Sequence, residues 1–190
     1  MVHDSVTKLG NEILEKAENI FGAKDIGSAS FLKFRFYNSK YPFLHFDELN
    51  NTYCIYLNFQ TINSEDELRR AHFQISHEVI HLLAPSPPLA PTVFEEGLAT
   101  FFSITHMEDI KEHEFVKDNV ADMKKKNQDY YDALQKVKCV DNLIPKVALI
   151  RRLYPGIKIS RFSEEHFLKL TCDKFLIKEL SKKFKQHESN

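Results

Sequence analysis

His77-Glu78-Val79-Ile80-His81 sets two imidazoles four residues apart, with a carboxylate beside the first. On a helix, residues i and i+4 lie one turn above each other, so both rings can chelate one zinc ion. The intervening Glu78 is then placed to act as general base toward a zinc-bound water. Fifteen residues past His81 comes Glu96, within Phe94-Glu95-Glu96-Gly97-Leu98-Ala99-Thr100. A carboxylate from there completes a His/His/Glu set and leaves one coordination position open.

These residues need two helices to position them. Ser64 opens a capping box with Glu67, and no Gly or Pro interrupts the chain from Ser64 to Ala84. Pro85 ends that run. Leu68, Ala71, Ile75, Val79 and Leu82 form a core stripe, with His77 and His81 nearly opposite it. Phe73 and Ile80 flank the histidine face, so the helix is expected between two layers with its histidines toward the gap. A second helix is expected from Thr92, after Pro91, with Phe94, Leu98 and Phe101 inward and Glu96 opposite. The segment from Pro85 to Pro91 holds Pro85, Pro87, Pro88 and Pro91, and reads as a stiff connector that returns Glu96 to the histidines.

The pairing of HExxH with Glu95-Glu96-Gly97-Leu98-Ala99-Thr100 resembles the gluzincin metallopeptidases, above all the M1 aminopeptidase family, where Asn-Glu-Gly-Phe-Ala-Thr follows HExxH. The resemblance implies zinc ligands at His77, His81 and Glu96, with Glu78 as base, and covers roughly residues 50–155. Three departures stand out. The gap before the glutamate is shorter here, the chain has no Trp, and the Gly-x-Met-Glu-Asn segment that grips a free amino terminus is missing. Aminopeptidase specificity therefore does not carry over.

Peptide hydrolysis also calls for a donor to the developing oxyanion. In the resembled family a Tyr-x-x-Gly segment supplies it, and Tyr130-Tyr131-Asp132-Ala133 matches that frame with Tyr130 as the Tyr. Tyr131 and Tyr154 are alternatives. His106 is a further candidate, although a solvent-facing position is its simpler expectation. Glu95 and Thr100 are placed to hold the far ring nitrogens of the ligating histidines.

The rest of the chain reads as α+β. A helix over about 4–21 precedes strands at 31–37, 43–46 and 53–59, the last covered on one face, with a turn at Asn50-Asn51. Helices follow over about 107–128, with a mobile beginning, then 129–140, 145–153, 164–170 and 173–185. A length of 190 residues suits one domain over 1–190, and the resemblance implies a zincin-like arrangement within it. A sheet-bearing lobe would span about 1–84 and a helical lobe about 92–190, with an edge strand along the cleft.

At 190 residues, 43% hydrophobic and net charge −1, the chain has ordinary globular composition, and no polyanion partner is implied. Lys182-Lys183-Phe184-Lys185 reads as a solvated helix end. Cys54, Cys139 and Cys172 lack CxxC spacing and suggest a reducing compartment without disulfides. Neither a signal peptide nor a membrane span is read, so a cytoplasmic protein is expected. The expectation is a zinc-dependent peptidase acting on unfolded or extended polypeptide, its oligomeric state open. The alternative is a zinc-binding regulatory module that keeps the ligands and works through a protein partner.

Overall fold

The computed structural model describes residues 2–27, 29–37, 39, 41–59, 61–83, 85 and 90–185. Helix α1 (Val2–Phe21) is amphipathic, burying Val6, Ile13, Leu14 and Ala17, and ends at Gly22, whose φ of 91° suits a glycine stop. Three strands follow: β1 (Ser30–Phe36), β2 (Phe43–Asp47) and β3 (Thr52–Leu57). Asn51, at φ 49°, takes the left-handed turn between the last two. The sheet order is β1-β3-β2, with β1 parallel and β2 antiparallel to β3. β3 is thus central and β2 lies at an edge. The expectation that β3 is covered on one face needs correcting: Tyr53 and Ile55 are buried, but so is Cys54 on the other face.

Helix α2 (Glu65–Leu83) starts where the capping box was read. Glu67 donates its backbone N–H to the Ser64 hydroxyl at 3.2 Å, and the Glu67 carboxylate accepts from the Ser64 N–H at 3.0 Å. Ala71, Ile75, Val79 and Leu82 are buried as the stripe requires. Leu68 is not; it is 42% exposed, because the first turn of α2 projects beyond the packed layers. The proline-rich connector falls mainly on 86–89, outside the described residues. At its edge, the Lys158 ammonium donates to the Pro85 carbonyl at 2.6 Å.

Helix α3 (Val93–Asp109) packs against α2. The single helix expected over 107–128 is divided: Met107–Asp109 finish α3, a tight turn with Lys111 at φ 67° follows, and α4 (His113–Lys126) then starts. Then come α5 (Gln128–Lys138), α6 (Leu143–Leu153), α7 (Glu164–Leu170) and α8 (Lys174–Leu180), with a 3-10 turn at Ile159–Arg161. One hydrophobic core runs from Val6 on α1 through Ile55, Val79 and Leu98 to Leu180. The described residues are therefore α+β and mostly helical.

Two features tie the later helices to α2 and α3. Arg151 on α6 is buried and donates to the Leu83 carbonyl at 3.4 Å and the Ala23 carbonyl at 3.1 Å. A cation suits the carbonyl end of α2. The second feature departs from the expected helix to 185. α8 stops at Leu180, and 181–185 form a strap that returns to the start of α3. Val93 N–H donates to the Lys182 carbonyl and Phe184 N–H to the Pro91 carbonyl, each at 2.9 Å.

Gly97 sets how closely α3 and α5 approach. A Cβ there would lie 2.6 Å from the Ala133 carbonyl oxygen and 2.7 Å from Val137 Cγ1. Neither the helix backbone nor a branched core side chain can swing away. Gly97→Ala is expected to lower stability by about 2 kcal/mol, even after the better helix propensity of Ala. A thermal melt should place its midpoint roughly 4–8 °C below the parent.

Candidate metal centre

The site is built on α2, the first turn of α3, the edge of β2 and the start of α5. Thr92 caps α3, its hydroxyl accepting from the Glu95 N–H at 3.2 Å. Glu95 and Glu96 then occupy the first turn, where unpaired N–H groups favour negative charge. Both point inward at α2.

His77, His81 and Glu96 converge. His77 Nε2 lies 3.1 Å from Glu96 Oε2 and 3.3 Å from His81 Nε2, and His81 Nε2 lies 3.6 Å from Glu96 Oε1. Ligand atoms about 2.0–2.1 Å from one tetrahedral ion stand about 3.3 Å apart, so these residues fit a metal such as zinc. A proton can bridge one such pair, whereas a cation can serve all three. The far nitrogen of His81 is held as a ligand requires: Nδ1 lies 2.9 Å from Glu95 Oε1, which aims Nε2 into the group. Thr100 does not play the matching part for His77, since its buried hydroxyl has no hydrogen-bond partner.

Charge points the same way. Glu78, Glu95 and Glu96 are only 4%, 5% and 5% exposed. Among the described residues no Lys or Arg pairs with any of them. The cationic partner within reach is His81, which three buried carboxylates outnumber, and an added cation would relieve the remaining cost. Burial disfavours a charged His81, but Glu96, Glu95 and Glu78 override it and push its pKa up to about 10. Burial would likewise raise Glu96, yet the neighbouring His81 and His77 hold it below the ordinary carboxylate value.

Glu78 is not one of the three convergent ligands. Burial raises its pKa above the usual carboxylate range, and the Leu44 backbone N–H of β2 donates to it. That hydrogen bond aims the outer edge of β2 at the site. Leu44, with Phe43, Phe46 and Tyr53, walls one side of a cleft of about 360 Å³ that contains His77, Glu78, His81, Glu95, Glu96 and Tyr130.

Of the candidate donors read from the sequence, Tyr130 reaches this cleft. Its ring centroid is 6.0 Å from that of His77, and burial, with Glu96 and Glu78 nearby, raises its phenol pKa. Phe184 of the C-terminal strap packs against it edge-on at 4.9 Å. The other candidates lie elsewhere. Tyr131 faces Lys124, and the Tyr154 hydroxyl donates to Glu165 at 2.6 Å.

No family model matches the chain, and neither the curated proteins nor the solved structures contain a match.

His106 corrects an expectation twice. It is buried rather than solvent-facing, and it pairs with His72, with Nε2 3.1 Å from His72 Nδ1 and the rings stacked at 5.4 Å. It is therefore no oxyanion donor. Burial, with Lys16 and His72 nearby, lowers its pKa to about 4 despite Asp109. Burial also lowers His72, against Glu112 and Glu12. A histidine whose folded pKa is depressed favours the native state above its unfolded value near 6.5. That stabilisation is lost as pH falls from there toward 4. His106→Gln is expected to flatten the fall in melting temperature between pH 7 and 4.5, and melts across that range test it.

Sequence reasoning did not find three contributors: the Leu44 N–H, the Phe184 ring and the missing side chain of Gly97. Gly97 alone left a signal, as a glycine inside a helical pattern. The other two depend on strand pairing and on how the C-terminus folds back.

Proposed function

We propose that this chain is a zinc-dependent peptidase of gluzincin type with a zincin-like fold, cleaving extended or unfolded polypeptide. One observation carries the reading: His77 Nε2 stands 3.3 Å from His81 Nε2 and 3.1 Å from Glu96 Oε2, and His81 Nε2 stands 3.6 Å from Glu96 Oε1, close to the spacing of a tetrahedral ion's ligands. Zinc held there supplies a Lewis acid that polarises a carbonyl and makes water acidic near neutrality.

The protein's own groups account for the remaining steps. The order β1-β3-β2 leaves one side of β2 unpaired by any described strand, and residues of β2 wall the cleft. An extended peptide can add to that edge by main-chain hydrogen bonds, which brings its carbonyls past Glu78. Glu78, held by the Leu44 N–H, takes the proton of the attacking water and delivers it to the leaving amine. Its raised pKa makes it a stronger base. Tyr130 donates to the carbonyl oxygen as negative charge develops there. Burial keeps its phenol protonated at neutral pH.

The free Cys54, Cys139 and Cys172 favour a reducing compartment, and we place the protein in the cytoplasm. No helix among the described residues is long and apolar enough to cross a membrane.

The test combines elemental analysis with a peptide-library digest read by mass spectrometry. One zinc per chain is expected, with cleavage that a chelator removes and zinc restores. Bound zinc without cleavage would instead favour a regulatory module acting through a protein partner. No uptake of zinc at neutral pH would end both readings.

A further inference from the structure

A second cavity, of about 240 Å³, opens on the other side of Glu78. Pro42, His77, Glu78 and Tyr130 wall both spaces. A peptide running along β2 past Glu78 therefore leaves one flanking side chain in each. The two differ in chemistry. The first is walled by aromatic and aliphatic groups of β2 and β3. The second is lined by the carboxamides of Asn58, Gln74, Asn119 and Asn127, the Tyr41 phenol and the Thr100 hydroxyl, together with the apolar Phe73 and Met123.

Several details favour a polar ligand there. Thr100 is 1% exposed, and its hydroxyl is buried without a hydrogen-bond partner. Asn127 precedes α5, yet its side chain does not cap that helix. Gln74 is held in place: its carboxamide oxygen accepts from the Asn58 N–H at 3.1 Å, and its nitrogen donates to the Asn58 side chain. Beyond His77 and Glu78, no residue lining this cavity carries a formal charge.

We propose that this cavity is a subsite for a neutral carboxamide side chain, so that the preferred substrate carries Gln or Asn beside the cleaved bond. The inference rests on the peptidase reading. A carboxamide both donates and accepts, which suits the Thr100 hydroxyl and the carboxamides of Asn119 and Asn127. An Asp or Glu side chain would surrender its water beside the Glu78 carboxylate, and a Lys or Arg would find only that same carboxylate, which the reaction needs free to take a proton. A Leu side chain would leave the buried Thr100 hydroxyl unpaired, the kind of mismatch by which polar pockets reject apolar analogues.

The test is digestion of a peptide library by the zinc-loaded full chain, with cut sites read by mass spectrometry. Gln and Asn should be favoured about tenfold or more over Leu, Glu and Lys at one position flanking the cut. Asn127→Asp should move that preference toward Lys, and Asn119→Leu toward aliphatic residues. Cleavage with no preference at that position, or with charged or aliphatic residues favoured by the parent protein, overturns the subsite. A zinc-loaded chain that cleaves nothing overturns the peptidase reading instead. The subsite is then read by fluorescence anisotropy, with Glu78→Gln protein and two labelled hexapeptides that differ only in Gln against Leu. Tighter binding of the Gln peptide supports it, and equal affinity overturns it.

Discussion

Glu78→Gln is expected to reduce peptide hydrolysis by about 10²–10⁴-fold while zinc content stays at the parental level. The substitution keeps the volume of a side chain that is almost fully buried, so packing around α2 is preserved. Its carboxamide oxygen can still accept from the Leu44 N–H, which holds the edge of β2 in register with the site. What it loses is the capacity to take and return a proton. Because His77, His81 and Glu96 supply the convergent donor atoms, uptake of metal has no need of Glu78. The measurement is kcat on a cleaved library peptide, alongside zinc quantified on the same preparation. Full activity in Glu78→Gln would remove Glu78 from the chemistry. Loss of both activity and zinc would make it a ligand or a structural group.

Zinc is expected to raise the melting temperature of metal-free protein by about 8–16 °C. A ligand that binds only the folded state, present at a thousand times its dissociation constant, stabilises by about 4 kcal/mol. For a chain of this size each kcal/mol moves the midpoint by about 2–4 °C. The buried carboxylates of Glu78, Glu95 and Glu96 give the cation more to relieve than its ligands alone. The increment should vanish in His77→Ala, scored against that variant's own metal-free melt so that any loss of baseline stability drops out.

The effect should also depend on pH in a defined sense. In the metal-free protein, His81 is raised to about 10 by the carboxylates around it. Its contribution to stability is fully present below the unfolded value near 6.5 and is lost as pH rises through 10. Zinc must displace that proton, so the zinc-induced increment should grow from pH 6 to pH 9. A midpoint that zinc leaves unmoved across this range would reject the site.

Much of this arrangement was legible in the residues. The Ser64 capping box, the uninterrupted run to Ala84 and the Thr92 start placed both ends of α2 and the beginning of α3 within a residue or two. The stripe through Ala71, Ile75, Val79 and Leu82 placed the histidines on the other side of α2. Where the reading went astray, the deciding contact was distant in sequence. Leu68 fits the stripe by phase, yet at the start of α2 it stays 42% exposed. His106 looks like a surface histidine by its neighbours, yet α2 brings His72 onto it. The basic run near 183 resembles a helix end, but its backbone pairs with residues 91–93 instead.

The sequence by itself determined that two imidazoles share one helical face and that a carboxylate pair opens the next helix. Both are local properties, set by the 3.6-residue turn and by capping groups a few residues away. Only the tertiary structure decided which carboxylate meets both rings and which one steadies His81. It alone brought Tyr130 to the cleft while leaving Tyr131, Tyr154 and His106 against other groups, and it turned the free edge of β2 toward Glu78. Those outcomes depend on how closely whole elements pack, as Gly97 against Ala133 illustrates, and no local propensity encodes that distance.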